Sequence, residues 1–205
     1  MKPSPAQTPL QLGPVRYALS FLLLLFVLPS LAQAHPGAGH AVGFLHGTTH
    51  PVTGLDHLCV MLAVGLWAAQ RGGRATWLVP LTFVSVMALG GFLGLASVPL
   101  PLVEQGILAS VLVLGVLIAA AVRLPLAATS ILIGLFALFH GHAHGTEMPE
   151  NASGLAYGLG FMLATACLHG CGIGLGLMVQ RLGSARMFRY VGGAITACGI
   201  YLCLA

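Results

Sequence analysis

The chain has 205 residues, of which 58% are apolar and 6% charged, and its formal net charge is +4. A soluble domain carries about 25% charged residues, so this composition excludes one and defines a polytopic membrane protein. The basic excess is no nucleic-acid footprint, because the arginines lie singly or in small groups between apolar segments, as topology signals do.

Residues 1–34 read as a secretory signal to be cleaved. Lys2 and Arg16 form the positive region, residues 17–28 the apolar region, and Ala32-Gln33-Ala34 the cleavage signature. Residues 35–205 then form one all-α domain of six transmembrane helices. Residues 35–49 are rich in Gly and His and too polar to span, so an external lid or a re-entrant segment is expected. Span one is expected over about 51–70, with Pro51 at the first helical position, where its missing N–H is not needed. Span two covers about 75–98 and ends at Pro99 and Pro101, with Glu104 in the connection. Span three covers about 106–122 and is closed by Arg123 and Pro125. Span four, about 126–139, is short for a hydrocarbon core of about 30 Å, and is read as continuing through His140 to His144 at the site rather than in lipid. Span five covers about 154–179 and span six 190–205.

Charge sets the orientation. The connections after spans one, three and five carry Arg71, Arg74, Arg123, Arg181, Arg186 and Arg189. Those after spans two and four carry only Glu104, Glu147 and Glu150. The positive-inside rule puts the arginines in the cytoplasm of a bacterial inner-membrane protein, and both the mature N-terminus and the C-terminus in the periplasm. The five cysteines fall in apolar segments and read as small packing residues, with disulfides not expected. Glycines recur along the spans, which reads as close helix packing.

Ionisable groups at membrane depth are costly and mark substrate or ion paths. All nine histidines fall on the periplasmic side or within the spans. On one helix His50 and His57 fall about 20° apart, on one face. Asp56 points about a quarter-turn away, either ligating from the side or orienting an imidazole. His46 is in phase with His50, although Pro51 interrupts an unbroken helix. His140, His144 and Glu147 have i, i+4, i+7 spacing, a chelating face if helical. His142 points away on that reading, and a solvent-exposed loop position is expected as readily as any other. His169 lies mid-span with Met162 and Thr165 on its face and Cys167 and Cys171 roughly opposite. A packing role and a place on the path are equally open for it. Imidazole with carboxylate suits Ni²⁺, Co²⁺, Zn²⁺ or Cu²⁺.

At these residues the sequence resembles the HupE/UreJ family of nickel permeases. The resemblance rests on His35-Pro36-Gly-x-Gly-His40, on Gly43-Phe44 with His50-Pro51-x-x-Gly54-x-Asp56-His57-Leu58, on Met61 to Trp67, on Phe139-His140-Gly141-x-Ala143-His144-Gly145-x-Glu147, and on Ala164-Thr165-x-x-Leu168-His169. It covers essentially the whole mature chain. Leu58-Cys59-Val60 departs from the plainly aliphatic run expected after the Asp-His pair. Membership implies uptake of Ni²⁺, or Co²⁺ in some members, for hydrogenase or urease maturation. It carries a metal-binding role onto His50, Asp56, His57, His140, His144 and Glu147.

The expected function is therefore a permease. The segment bearing His35, His40 and His46 captures the hydrated ion, which passes to the two clusters, with His169 a deeper step. Ligands must be deprotonated, so uptake is expected to fall below the histidine range, about 6.5 for a free imidazole. The metal is substrate, and no prosthetic group is expected. The partners are the divalent ion and the lipid bilayer, with no nucleic acid and a homo-oligomer left open. No P-loop is present, so ATP is not spent by this chain. The competing readings are a membrane-bound metal sensor or metal-delivery protein, and an intramembrane metalloenzyme using Glu147. The last lacks H-E-x-x-H, and no enzyme is expected.

Overall fold

The structure is a computed structural model that describes residues 39–148, 153–183 and 185–205. The expected signal segment with its cleavage site, His35 and Glu150 lie outside these residues, and so does the side chain of His40. The described residues form seven helices and no strand. They are α1 (Gly39–Thr53), α2 (Leu55–Arg71), α3 (Ala75–Leu95), α4 (Val103–Ala119), α5 (Leu126–Thr146), α6 (Gly154–Arg181) and α7 (Ala185–Leu204).

Helix α2 is the centre. Leu58–Met61 and Ala63–Ala69 are all buried, so it is enclosed on every side. A helix that is apolar all round belongs in such a core. The other helices pack around it and against each other, α3 most extensively on α5, α6 on α1 and α2, and α7 on α4. Their outward faces stay apolar: Trp77, Leu81 and Phe92 on α3, Ile131 on α5, Leu155 and Leu163 on α6 are all exposed. Exposed apolar faces of this extent on long helices fit hydrocarbon rather than water.

Among the described residues four helical segments are long and apolar enough to cross a membrane: α3, α5, α6 and Arg186–Leu204. Helices α1 and α2 together qualify as a broken span bent by 83°. Helix α4 has 17 residues, at the lower limit for spanning.

The first span differs from expectation. Pro51 does not open a helix; it lies inside α1, and the break comes at Gly54. The Gly- and His-rich stretch from Gly39 is helical up to that break and packs on α6. A proline removes its own N–H bond and need not end the helix at itself, so the chain turns three residues later, where glycine leaves room.

Helix ends sort by charge. Trp67 donates to the Val122 carbonyl at 3.4 Å, Gln70 to that of Ile118 at 3.0 Å, and Gln180 to that of Ala69 at 2.6 Å. These bonds hold the Arg71, Arg123 and Arg181 ends of α2, α4 and α6 together. The carboxylates of Asp56, Glu104 and Glu147 line a common cavity at the opposite end.

Close helix contact is made by glycine. A Cβ at Gly141 would meet the Met87 carbonyl oxygen, and one at Gly145 that of Gly91. Gly141 and Gly145 are one turn apart, so they lay one face of α5 on α3. His140 and His144, each just before one of these glycines and also one turn apart, are turned toward α1 and α2.

Candidate metal centre

Three elements bring the histidines together. The end of α1 carries His50, the start of α2 carries Asp56 and His57, and the end of α5 carries His140, His144 and Glu147. Helix α5 runs unbroken from Leu126 to Thr146, with Glu147 as its C-terminal cap residue. The expected continuation of span four through His140 to His144 is therefore observed.

His50 and His57 do not share a helix face, because the 83° bend lies between them. They converge instead on a third residue. The His144 ring centroid lies 4.8 Å from that of His50 and 4.4 Å from that of His57. Glu147 Oε2 lies 3.7 Å from His50 Nε2 and 3.9 Å from His144 Nδ1. One ligand atom each from His50, His144 and Glu147 all fall within 4.8 Å of one another, compact enough to hold a metal ion. Glu147 is exposed, His50 half-buried and His144 buried, so the cluster opens outward.

Asp56 takes the orienting role. The His57 Nδ1–H donates to Asp56 Oδ1 at 2.7 Å, and the His57 backbone N–H donates to the same oxygen at 2.8 Å. That fixes the imidazole tautomer and leaves Nε2 as the lone-pair nitrogen. His57 Nε2 is buried with no hydrogen-bond partner, as are both ring nitrogens of His144. Buried polar atoms are normally paired, so a cluster of unpaired imidazole nitrogens is chemically able to accept a cation.

His140 lies one turn deeper than His144. Its ring centroid is 5.1 Å from that of His57, and its Nδ1–H donates to the Phe136 carbonyl at 2.8 Å. His142 is not the solvent-exposed loop residue that its phase left open. It is 6% exposed, and its Nε2–H donates to the Val98 carbonyl at 2.7 Å. That carbonyl is presented by the turn after α3, where Val98 N–H bonds back to Leu93 O and Ser97 takes a φ of 54°. This is the pattern of a Schellman cap. His46 is exposed one turn before His50 on α1 and is not one of the three groups whose ligand atoms converge. His169 is buried on α6, away from the outer ligands.

Several residues of the centre are marked out by no ligand motif. Tyr157 and Phe161 of α6 face the histidines, with Phe161 4.1 Å from His144 between centroids. The pair belongs to a stripe at four-residue steps, Tyr157, Phe161, Thr165 and His169, all buried. That periodicity was visible in the sequence, but it reads as ordinary packing. Glu104 lines a cavity of about 470 Å³ together with Asp56, His57, His142 and Glu147. The cysteines are less uniform than expected. Cys59 is buried with its sulfur 3.6 Å from that of Cys198, whereas Cys167 and Cys203 are exposed.

A helical membrane protein with imidazole and carboxylate groups gathered at the end away from its arginines is the class that fold and site define. The chain belongs to the HupE / UreJ family, whose profile it matches over residues 22–202. The protein named HupE of Rhizobium leguminosarum bv. viciae is 46% identical over 182 residues, 88% of this chain and 94% of that one. No solved structure matches the chain.

Proposed function

We propose that this protein is a six-span permease of a bacterial inner membrane that takes up Ni²⁺, or Co²⁺, from the periplasm, and that a hydrogenase or urease is the end user. The observation that carries the reading is the triad of His50, His144 and Glu147, with ligand atoms within 4.8 Å, at the end of the bundle opposite the arginines. The positive-inside rule turns that end outward. The six spans are the bent α1–α2 pair, α3, α4, α5, α6 and α7.

In this reading the hydrated ion enters through the cavity lined by Asp56, Glu104 and Glu147. Imidazoles of His50 and His144 replace water, while Glu147 offsets charge at the metal. His57, held by Asp56, is the next ligand inward. His35, His40 and His46 serve as an outer capture segment. A divalent cation gains about 4.6 kcal/mol per 100 mV of inward-negative potential, so entry needs no nucleotide. The role is carriage, not catalysis, and the ion is cargo.

The test is uptake of radioactive Ni²⁺ by cells expressing wild type, His50→Ala and His144→Ala at matched levels. Uptake in the wild type that both variants lose supports the permease. Absence of uptake of Ni²⁺, Co²⁺ and Zn²⁺ by wild type would hand the chain to the sensor or delivery class.

A further inference from the structure

Deeper in the bundle the histidines do not stop at the outer cluster. His169 on α6 is 1% exposed, and its Nδ1–H donates to the Met61 carbonyl at 2.8 Å. Met61 lies one turn inward of His57 on α2, so His169 sits below the outer ligands. A carbonyl only accepts, so the proton is on Nδ1 and the lone pair is on Nε2. That Nε2 is buried with no hydrogen-bond partner. His140 repeats the arrangement: it is fully buried, its Nδ1–H is tied to Phe136 O at 2.8 Å, and its Nε2 is unpaired.

Phe83 of α3 joins the two. Its ring centroid is 5.6 Å from that of His140 and 5.0 Å from that of His169, edge-on to both. His140 in turn lies 5.1 Å from His57. The four rings form a continuous inward series, His57, His140, Phe83 and His169. Thr165 and Met87 close the same region, with the Thr165 hydroxyl 3.8 Å from the Met87 sulfur. All of these except His57 are at most 2% exposed.

The series ends at a seal. A Cβ at Gly65 would meet the His169 carbonyl oxygen, and one at Gly172 would meet that of Leu62. Helices α2 and α6 are thus in backbone contact just beyond His169, toward the arginine end.

We propose that His169 and His140 form a second, inner station for a divalent transition-metal ion, separated from the outer triad and bounded inward by the Gly65–Gly172 contact. The inference rests on the permease reading and deepens it. Two anchored imidazoles supply neutral nitrogen ligands and no carboxylate, so this station holds its ion weakly. Weak binding after a stronger site is what conduction requires, since an ion must leave as well as enter. Phe83, fully buried and edge-on to both imidazoles, closes the station off from water.

The test uses the full chain, purified and reconstituted, with Ni²⁺ as the probe. His169→Asn keeps an amide N–H able to donate to the Met61 carbonyl and removes the Nε2 lone pair. Equilibrium Ni²⁺ binding in detergent should stay within about twofold of wild type, while flux into proteoliposomes falls by about tenfold or more, the usual scale for damage to a metal site. Flux that survives in His169→Asn overturns the station and leaves His169 a packing residue. Loss of binding together with flux also overturns it, because a single site would then exist. The same two measurements on His169→Gln guard against a folding defect in one variant. His144→Ala is the companion and should lose both binding and flux. A wild type that neither binds nor carries Ni²⁺ removes the permease reading itself.

Discussion

Asp56 accepts the Nδ1–H of His57 at 2.7 Å, although the two are neighbours in the chain and consecutive side chains on a helix diverge by about 100°. They meet because both stand in the first turn of α2, where Asp56 can fold back over the free backbone N–H groups. The bond decides which nitrogen of His57 is left with a free lone pair toward His140 and His144. Asp56→Asn should therefore lower Ni²⁺ affinity by about 10- to 100-fold, as loss of an orienting carboxylate usually does, with thermal stability little changed. Equilibrium dialysis on the purified variant checks this, and wild-type affinity would assign Asp56 to the surface instead.

Gly54 is the second control on that pair. Its φ of −90° is open to any residue, so the requirement is space and not conformation. A Cβ there would stand 2.8 Å from Asp56 Oδ1 and 2.9 Å from His57 Nδ1. Gly54→Ala should push the pair apart and cut uptake by about tenfold, in line with a lost orienting contact. Gly170→Ala, where nothing lies within 4 Å of the new methyl group, should keep wild-type uptake and serves as the control. Equal uptake in both variants would refute the steric account.

Much of the centre was legible because the ligands sit in two short motifs. His140, Gly141, His144, Gly145 and Glu147 alternate so that one face of α5 carries the imidazoles and the carboxylate and the other packs on α3, and helical phase alone reveals it. The convergence of His50 with His57 was not legible. An unbroken helix would have placed them on one face about two turns apart, whereas the chain bends by 83° and His144 fills the corner. Pro51 and Gly54 mark the interruption locally, but the size of the bend depends on what α1 packs on, namely α6, which a local window does not hold. Glu104 was invisible for the same reason: its partners are 48 residues or fewer upstream and 43 or fewer downstream, in other helices. His142 was given the right phase, away from the chelating face, but the Val98 carbonyl that buries it comes from a turn over 40 residues earlier.

Glu104 yields a prediction that separates steering from ligation. It is exposed at the rim of the cavity of about 470 Å³ that also holds Asp56 and Glu147. A carboxylate in a cleft raises the local cation concentration without binding the ion directly. Glu104→Gln should slow Ni²⁺ uptake at low ionic strength by about threefold, and the difference should shrink near 1 M salt, where the Debye length is about 3 Å. Glu147→Gln, by contrast, removes a carboxylate from the triad, and its defect should persist at high salt. Initial rates in proteoliposomes across a salt series distinguish the two, and a salt-independent Glu104→Gln defect would make Glu104 a ligand.

The glycines of α5 make the last prediction, because they set how closely the helix that carries His140 and His144 lies on α3. At Gly141 an added Cβ would meet the Met87 carbonyl, and the Gly91 backbone nitrogen would be 2.8 Å away. Both are backbone atoms of α3, so no side chain can swing aside. Gly141→Ala should force α5 off α3, with an overpacking cost of about 1–3 kcal/mol. The displacement moves His140 and His144 with the helix, so a fall in thermal stability in detergent should come with a fall in Ni²⁺ binding. Gly158→Ala on α6, which meets nothing within 4 Å, should change neither. A Gly141→Ala protein with lower Tm but wild-type Ni²⁺ binding would show that the histidine cluster does not depend on the α3–α5 contact for its geometry.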